Sequence, residues 1–137
     1  MMVKCLATRG QALFARTREI GYNPESRFAP LEIGELYVVY GIQLWKGNLH
    51  YLVVPRYKGV DQGPSFDPAE LFEVVDGQIP NGWYFRWEGS SDAEEATWGY
   101  RELLDPTHHD NLMERDPEAL RIFKERKREM DRQLGAQ

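Results

Sequence analysis

The chain of 137 residues carries a formal net charge of −5, with 42% apolar and 28% charged residues. That length gives one domain with a terminal appendage, and no apolar run approaches the roughly 20 residues that cross a bilayer as a helix. The opening residues Met1-Met2-Val3-Lys4-Cys5-Leu6 lack the apolar core of a signal peptide, and the single cysteine has no partner for an internal disulfide. A cytoplasmic location is the expectation, with Cys5 a buried thiol within an apolar alternation.

The charge is unevenly spread. Residues 1–60 carry eight Lys/Arg against four Asp/Glu, residues 61–87 one against five, residues 88–116 two against nine, and residues 117–137 six against four. The middle of the chain is an acidic block, which repels phosphate and suits a basic protein partner.

In chain order, Met2 to Ala7 reads as a first strand, and Gln11 to Ile20 has no clean period. Asn23-Pro24 is turn chemistry, and Pro30 between Phe28 and Leu31 marks an extended lead-in at a sheet edge. Gly34 to Val54 reads as a β-hairpin turning at Lys46-Gly47-Asn48, with apolar residues on both faces of both arms. Such a hairpin must be covered on both sides. Arg56 to Asp67 is rich in breakers and reads as a loop. Leu71–Val75 and Trp83–Trp87 read as strands separated by the turn signals Asp76-Gly77 and Pro80-Asn81-Gly82. The expected fold is β-rich: a small bent sheet or SH3-like barrel of about five strands, followed by a C-terminal helix. Its expected core includes Leu36, Val38, Tyr40, Leu52, Phe72 and Val74.

From Glu88 the character changes. Ser91-Asp92-Ala93-Glu94 has capping-box form but is followed at once by Thr97-Trp98-Gly99, and Asp105-Pro106 reads as a stop. Asp116-Pro117-Glu118 is the best helix start in the chain, with Asp as N-cap and Pro in the first helical position. The helix is expected to run to about Leu134 on a stripe of Leu120, Phe123, Met130 and Leu134 that Lys127 interrupts. Its last turns are therefore expected to be loosely held, and residues 125–137 dispensable for folding. The organisation read is a β-rich barrel-like unit over 1–88, an acidic connecting segment over 89–116, and the helix over 117–137, within one domain.

No catalytic constellation is visible. His108-His109 point apart as neighbours and read as polar loop residues without metal-ligand spacing, and His50 reads as a partly exposed strand residue. There is no Gly-x-Ser-x-Gly, no phosphate-cradling loop, and no His near Cys5. The expectation is a non-enzymatic protein that needs no cofactor and no metal. Its partner-binding candidates are Trp83, Tyr84, Trp87 and Trp98 beside Asp92, Glu94, Glu95 and Glu102, because aromatic anchors ringed by carboxylates suit a basic partner. The alternative is a groove on Trp45, Tyr51 and Tyr57 for a peptide or nucleic acid, with Lys46, Arg56, Lys58 and Arg86 as its few cations.

Gly34-x-x-Tyr37-x-Val39-Tyr40-Gly41-Ile42, read beside Pro68-Ala69-Glu70-Leu71-Phe72-Glu73-Val74 and Pro80-x-Gly82-Trp83-x-Phe85, resembles small bacterial proteins with an SH3-like barrel. Gly99-Tyr100-x-Glu102-Leu103 with Glu114-Arg115-Asp116-Pro117-Glu118-Ala119-Leu120 resembles the tail of such proteins. In size and acidity the chain is similar to immunity proteins of polymorphic-toxin systems, which bind and block a cognate toxin. The resemblance implies a binding role and carries no catalytic residue across.

Overall fold

The computed structural model describes residues 1–135. In chain order these form β1 (Met2–Cys5), α1 (Ala15–Arg18), β2 (Leu36–Val38), β3 (Gly41–Trp45), β4 (Asn48–Val53), β5 (Arg56–Tyr57) and β6 (Val60–Asp61). There follow β7 (Ser65–Pro68), β8 (Phe72–Asp76), β9 (Tyr84–Trp87), β10 (Ala96–Gly99), α2 (Pro106–Met113) and α3 (Pro117–Gly135). A three-stranded sheet has the order β2-β1-β8 and a five-stranded sheet the order β7-β4-β3-β10-β9, while β5 and β6 make a small hairpin of their own. All the pairings are antiparallel. The chain is thus β-rich with a C-terminal helix, as its sequence predicts. Among the described residues the sheets stay open rather than closing as a barrel.

The hairpin forms, but over a shorter span. Lys46 and Gly47, at φ of 49° and 75°, make the two-residue turn between β3 and β4, which suits the twist of the flanking strands. Upstream of Tyr40, whose N–H still donates to the Leu52 carbonyl at 2.8 Å, the chain leaves it. Leu36–Val38 instead pairs with β1 in the other sheet, so one apolar run serves two sheets. Leu36 and Val74, expected inside, are exposed, and Val38 is half-buried. Tyr37 and Val39 occupy the core in their place, because side chains alternate faces along a strand.

Two cores sit on opposite faces of the five-stranded sheet. Tyr51 and Val53 of β4 face Val3, Cys5, Tyr37, Val39 and Phe72, with Leu13, Phe28, Leu31 and Leu71 closing that core. The next residue in the alternation, Leu52, turns the other way onto Tyr100, Leu103, Leu112, Phe123 and Met130. Trp83 packs against both clusters. The buried Cys5 agrees with its sequence reading.

Segment 89–116 is more than a connector. Ala96–Gly99 is β10, inserted between β3 and β9, so the five-stranded sheet needs residues on both sides of position 88. Asp105-Pro106 stops the short helical turn over Arg101–Leu104, as its sequence predicts, and also starts a further helix: Asp105 is the N-cap of α2, accepting from the Thr107 N–H at 2.9 Å, with Pro106 in the first helical position. The α3 helix starts where expected, but it docks along its length. Met130 is buried, Tyr40 donates to Asp131, and the Lys127 ammonium that interrupts the stripe lies over the Tyr40 ring while pairing with Asp131. Ala136 and Gln137 fall outside the described residues. No helix among the described residues is long and apolar enough to cross a membrane.

Candidate functional site

Three exposed aromatic residues share β9. Tyr84, Phe85 and Trp87 are 54%, 54% and 55% exposed, and Arg86 between them is exposed as well. β9 is an edge strand, paired only to β10. The Glu88 N–H donates to the Glu95 carbonyl at 2.8 Å, which sets the phase of the ladder. Alternation then turns the main-chain groups of Tyr84 and Arg86 toward β10 and those of Phe85 and Trp87 toward the open edge. An edge with unpaired donors and acceptors is a template for another strand, and natural edges are commonly blunted by lysine, proline or short length. Here the shortness is present but aromatic side chains stand where blunting charges would.

The register fixes the face of each side chain. Phe85 lies opposite Trp98, Trp98 opposite Ile42, and Ile42 opposite Tyr51. Phe85 and Trp87 therefore extend the same sheet face that forms the first core, beyond the point where that core ends. The Phe85 and Trp98 rings are in contact, with centroids 4.8 Å apart. On the opposite face Arg86 pairs with Glu88 at 2.9 Å and donates to the Leu104 carbonyl at 3.2 Å. Tyr84 borders a groove with Tyr100, Arg126 and Met130.

The loop from β9 to β10 carries Glu88, Asp92, Glu94 and Glu95 and no basic residue. Asp92 and Glu94 are exposed and Glu95 is half-buried. The loop is steadied where the Gly47 N–H donates to the Glu94 carbonyl at 3.0 Å. Glu102 has another role. It takes a bidentate pair from Arg126 at 3.0 and 2.6 Å, which holds its carboxyl below the usual carboxylate range and ties the segment before α2 to α3. Of the residues singled out in the sequence, Tyr84, Trp87, Trp98, Asp92, Glu94 and Glu95 come together at this edge. Trp83 does not: its indole N–H points to the Met130 sulfur at 3.3 Å, between the two cores. Phe85 belongs to the site as well, in the Trp83-x-Phe85-x-Trp87 alternation that the sequence sets just before the acidic loop.

The other proposed set does not gather into a groove. Tyr51 is enclosed in the first core, Tyr57 sits on the β5–β6 hairpin, and Trp45 stands beside His50 on the opposite face of β3 and β4 from Tyr51.

The histidines differ from their sequence readings. His50, only 3% exposed, has its Nδ1 at 3.1 Å from the Asn48 carbonyl, and burial pulls its pKa below the ordinary value. His108 is buried on α2 with its Nε2 2.8 Å from the Tyr100 hydroxyl, and burial pushes the two pKa values apart, His108 down and Tyr100 up. His109 stacks on Phe66 at 5.3 Å, and its Nε2 is enclosed with no hydrogen-bond partner. Among the described residues no cluster of three His, Cys, Asp or Glu side chains is placed to hold a metal. Comparison with family models, curated proteins and solved structures finds no match to this chain.

Proposed function

We propose that this protein is a protein-binding domain whose partner adds an extended, basic segment to the open edge of β9. The observation that carries this reading is the edge itself: the Phe85 and Trp87 main-chain groups face outward between exposed aromatic side chains. Strand addition supplies affinity through those main-chain groups, and the aromatic side chains on alternate faces supply selectivity. The Asp92 and Glu94 carboxylates, exposed on the adjoining loop, favour Lys or Arg in the incoming segment. In its most specific form the domain is an immunity protein that neutralises a basic toxin. It acts by binding rather than by catalysis.

The test uses extended peptides in which apolar residues alternate with Lys or Arg, with amide hydrogen exchange as the readout. A bound peptide should slow exchange at Phe85 and Trp87. Phe85→Pro or Trp87→Pro should abolish binding, because proline removes an outward N–H while the ladder to β10 keeps its own donors. Binding that leaves both amides unprotected and survives both proline variants would overturn the reading.

A further inference from the structure

A second feature lies on the helix-facing side of the five-stranded sheet, away from the β9 edge. A cavity of about 340 Å³ is lined by Tyr22, Gln43, Trp45, His50, Phe66, His109 and Met113. It forms because α2 covers only part of that face. Phe66 is stacked under His109, and Gln43 and His50, paired across β3 and β4, line the space between α2 and the turn that carries Tyr22. We propose that this cavity binds a small neutral planar aromatic molecule carrying one N–H or O–H donor, of the phenol or indole class.

Three observations select that chemistry. The lining is mostly aromatic rings and a thioether, and the near-parallel Phe66–His109 pair, at 24°, gives one side a flat, layered surface. Flat apolar walls suit a planar ring. No Asp, Glu, Lys or Arg lines the space, which leaves a charged ligand without a counter-charge. Finally, the polar group is directional. Because His50 Nδ1 faces a carbonyl oxygen, the neutral ring carries its proton there and donates it to Asn48, so Nε2 is an acceptor. A ligand with an acceptor alone would leave that nitrogen unpaired, and a ligand with a donor completes it. The Gln43 carboxamide supplies a second, adaptable contact.

The volume suits a molecule of this size and is far larger than a single water or ion needs. A planar ring entering here would lie near Trp45, whose ring is 6.4 Å from that of His50. Trp45 is therefore a built-in reporter, and the site is separate from the residues of the β9 edge.

The experiment is titration of the full chain with phenol and with indole, each against its methylated counterpart, anisole and N-methylindole, read by amide chemical shifts and tryptophan fluorescence. Phenol and indole should shift resonances of Gln43, His50 and Met113, and their methylated counterparts should bind about tenfold or more weakly, the cost of one lost hydrogen bond to a buried acceptor. Met113→Trp, made at an exposed position on α2, should fill the cavity and abolish binding without disturbing the fold. His50→Phe should remove the preference for the donor, and Met113→Trp gives the answer should that core variant not fold. Absence of binding by all four probes, equal binding of donor and methylated probes, or unchanged binding by Met113→Trp would each overturn the proposal.

Discussion

The Tyr40 hydroxyl donates to the Asp131 carboxylate at 2.7 Å, joining the bend between the two sheets to the far end of α3. Desolvation and that carboxylate both push the Tyr40 pKa up, so the phenol stays protonated and the bond keeps its donor. Around it, Met130 fills the second core and Arg126 is held by Glu102.

Removal of residues 125–137 is therefore expected to unfold or severely destabilise the protein. Loss of the buried Met130 side chain alone should cost about 2–5 kcal/mol, a large share of the roughly 5–15 kcal/mol that holds a domain together. The half-buried hydroxyl bond is worth less, and Tyr40→Phe should cost about 1 kcal/mol. Urea denaturation of the truncation, Met130→Ala and Tyr40→Phe gives the order directly. A truncated chain as stable as the full one would show that the contacts of the last turns carry no weight.

A second prediction concerns close packing where Gly41 of β3 pairs with Gly99 of β10 under Leu103. A Cβ built on Gly41 would come within 2.5 Å of Leu103 Cδ2, and one on Gly99 within 2.6 Å. Gly99→Ala should therefore destabilise by about 1–3 kcal/mol through overpacking. The same change in a Leu103→Ala background should cost much less, because the clashing methyl is gone. A double-mutant cycle measures the difference, and additive costs would mean that Leu103 is not what Gly99 accommodates.

Much of the architecture could be read from local chemistry, because turn and cap signals act within a few residues. Lys46-Gly47 and Asp116-Pro117 are such cases. What escaped reading was decided by distant partners. The apolar run from Leu36 to Leu44 looks continuous, yet its first part pairs with β1 and its second with β4, and no local signal marks that switch. Thr97 and Trp98 are good strand residues, but only β3 and β9 on either side make them a strand. The aromatic and acidic residues of the candidate site were legible as types. Their exposure was not, since the same composition fills cores, and Trp83 and Tyr51 do so here.

Asp67 gives a prediction in pH. Burial pushes its pKa up to about 6 against the donated bond from Ser65 at 2.8 Å. The folded chain thus binds a proton more tightly than the unfolded one, so this group's contribution falls as pH rises through the interval between the unfolded value and about 6, and is level above it. Asp67→Asn keeps an acceptor for Ser65 and removes the charge. It should stabilise the protein by about 1–2 kcal/mol at pH 7 and flatten the stability profile between about pH 4 and 6. Thermal melts across that range test it, and an unchanged slope would remove Asp67 as its source.

The last prediction tests electrostatic steering at the β9 edge. Asp92 and Glu94 are exposed in a loop without a basic residue, so their field reaches an approaching cation. Salt screens such a field within about 10 Å, which confines the effect to encounter and leaves the docked hydrogen bonds largely untouched. Changing Asp92 and Glu94 together to Lys should slow association with an extended basic peptide about tenfold or more, while its dissociation rate changes little. Raising ionic strength should slow the unmodified protein in the same direction and have the opposite effect on the charge-reversed one. Glu102 is the necessary contrast. Its charge is already met by Arg126, so Glu102→Gln should lower stability without altering the on-rate. Stopped-flow kinetics at two salt concentrations separates these outcomes, and an on-rate indifferent to both charge reversal and salt would leave the open aromatic edge as the sole determinant of binding.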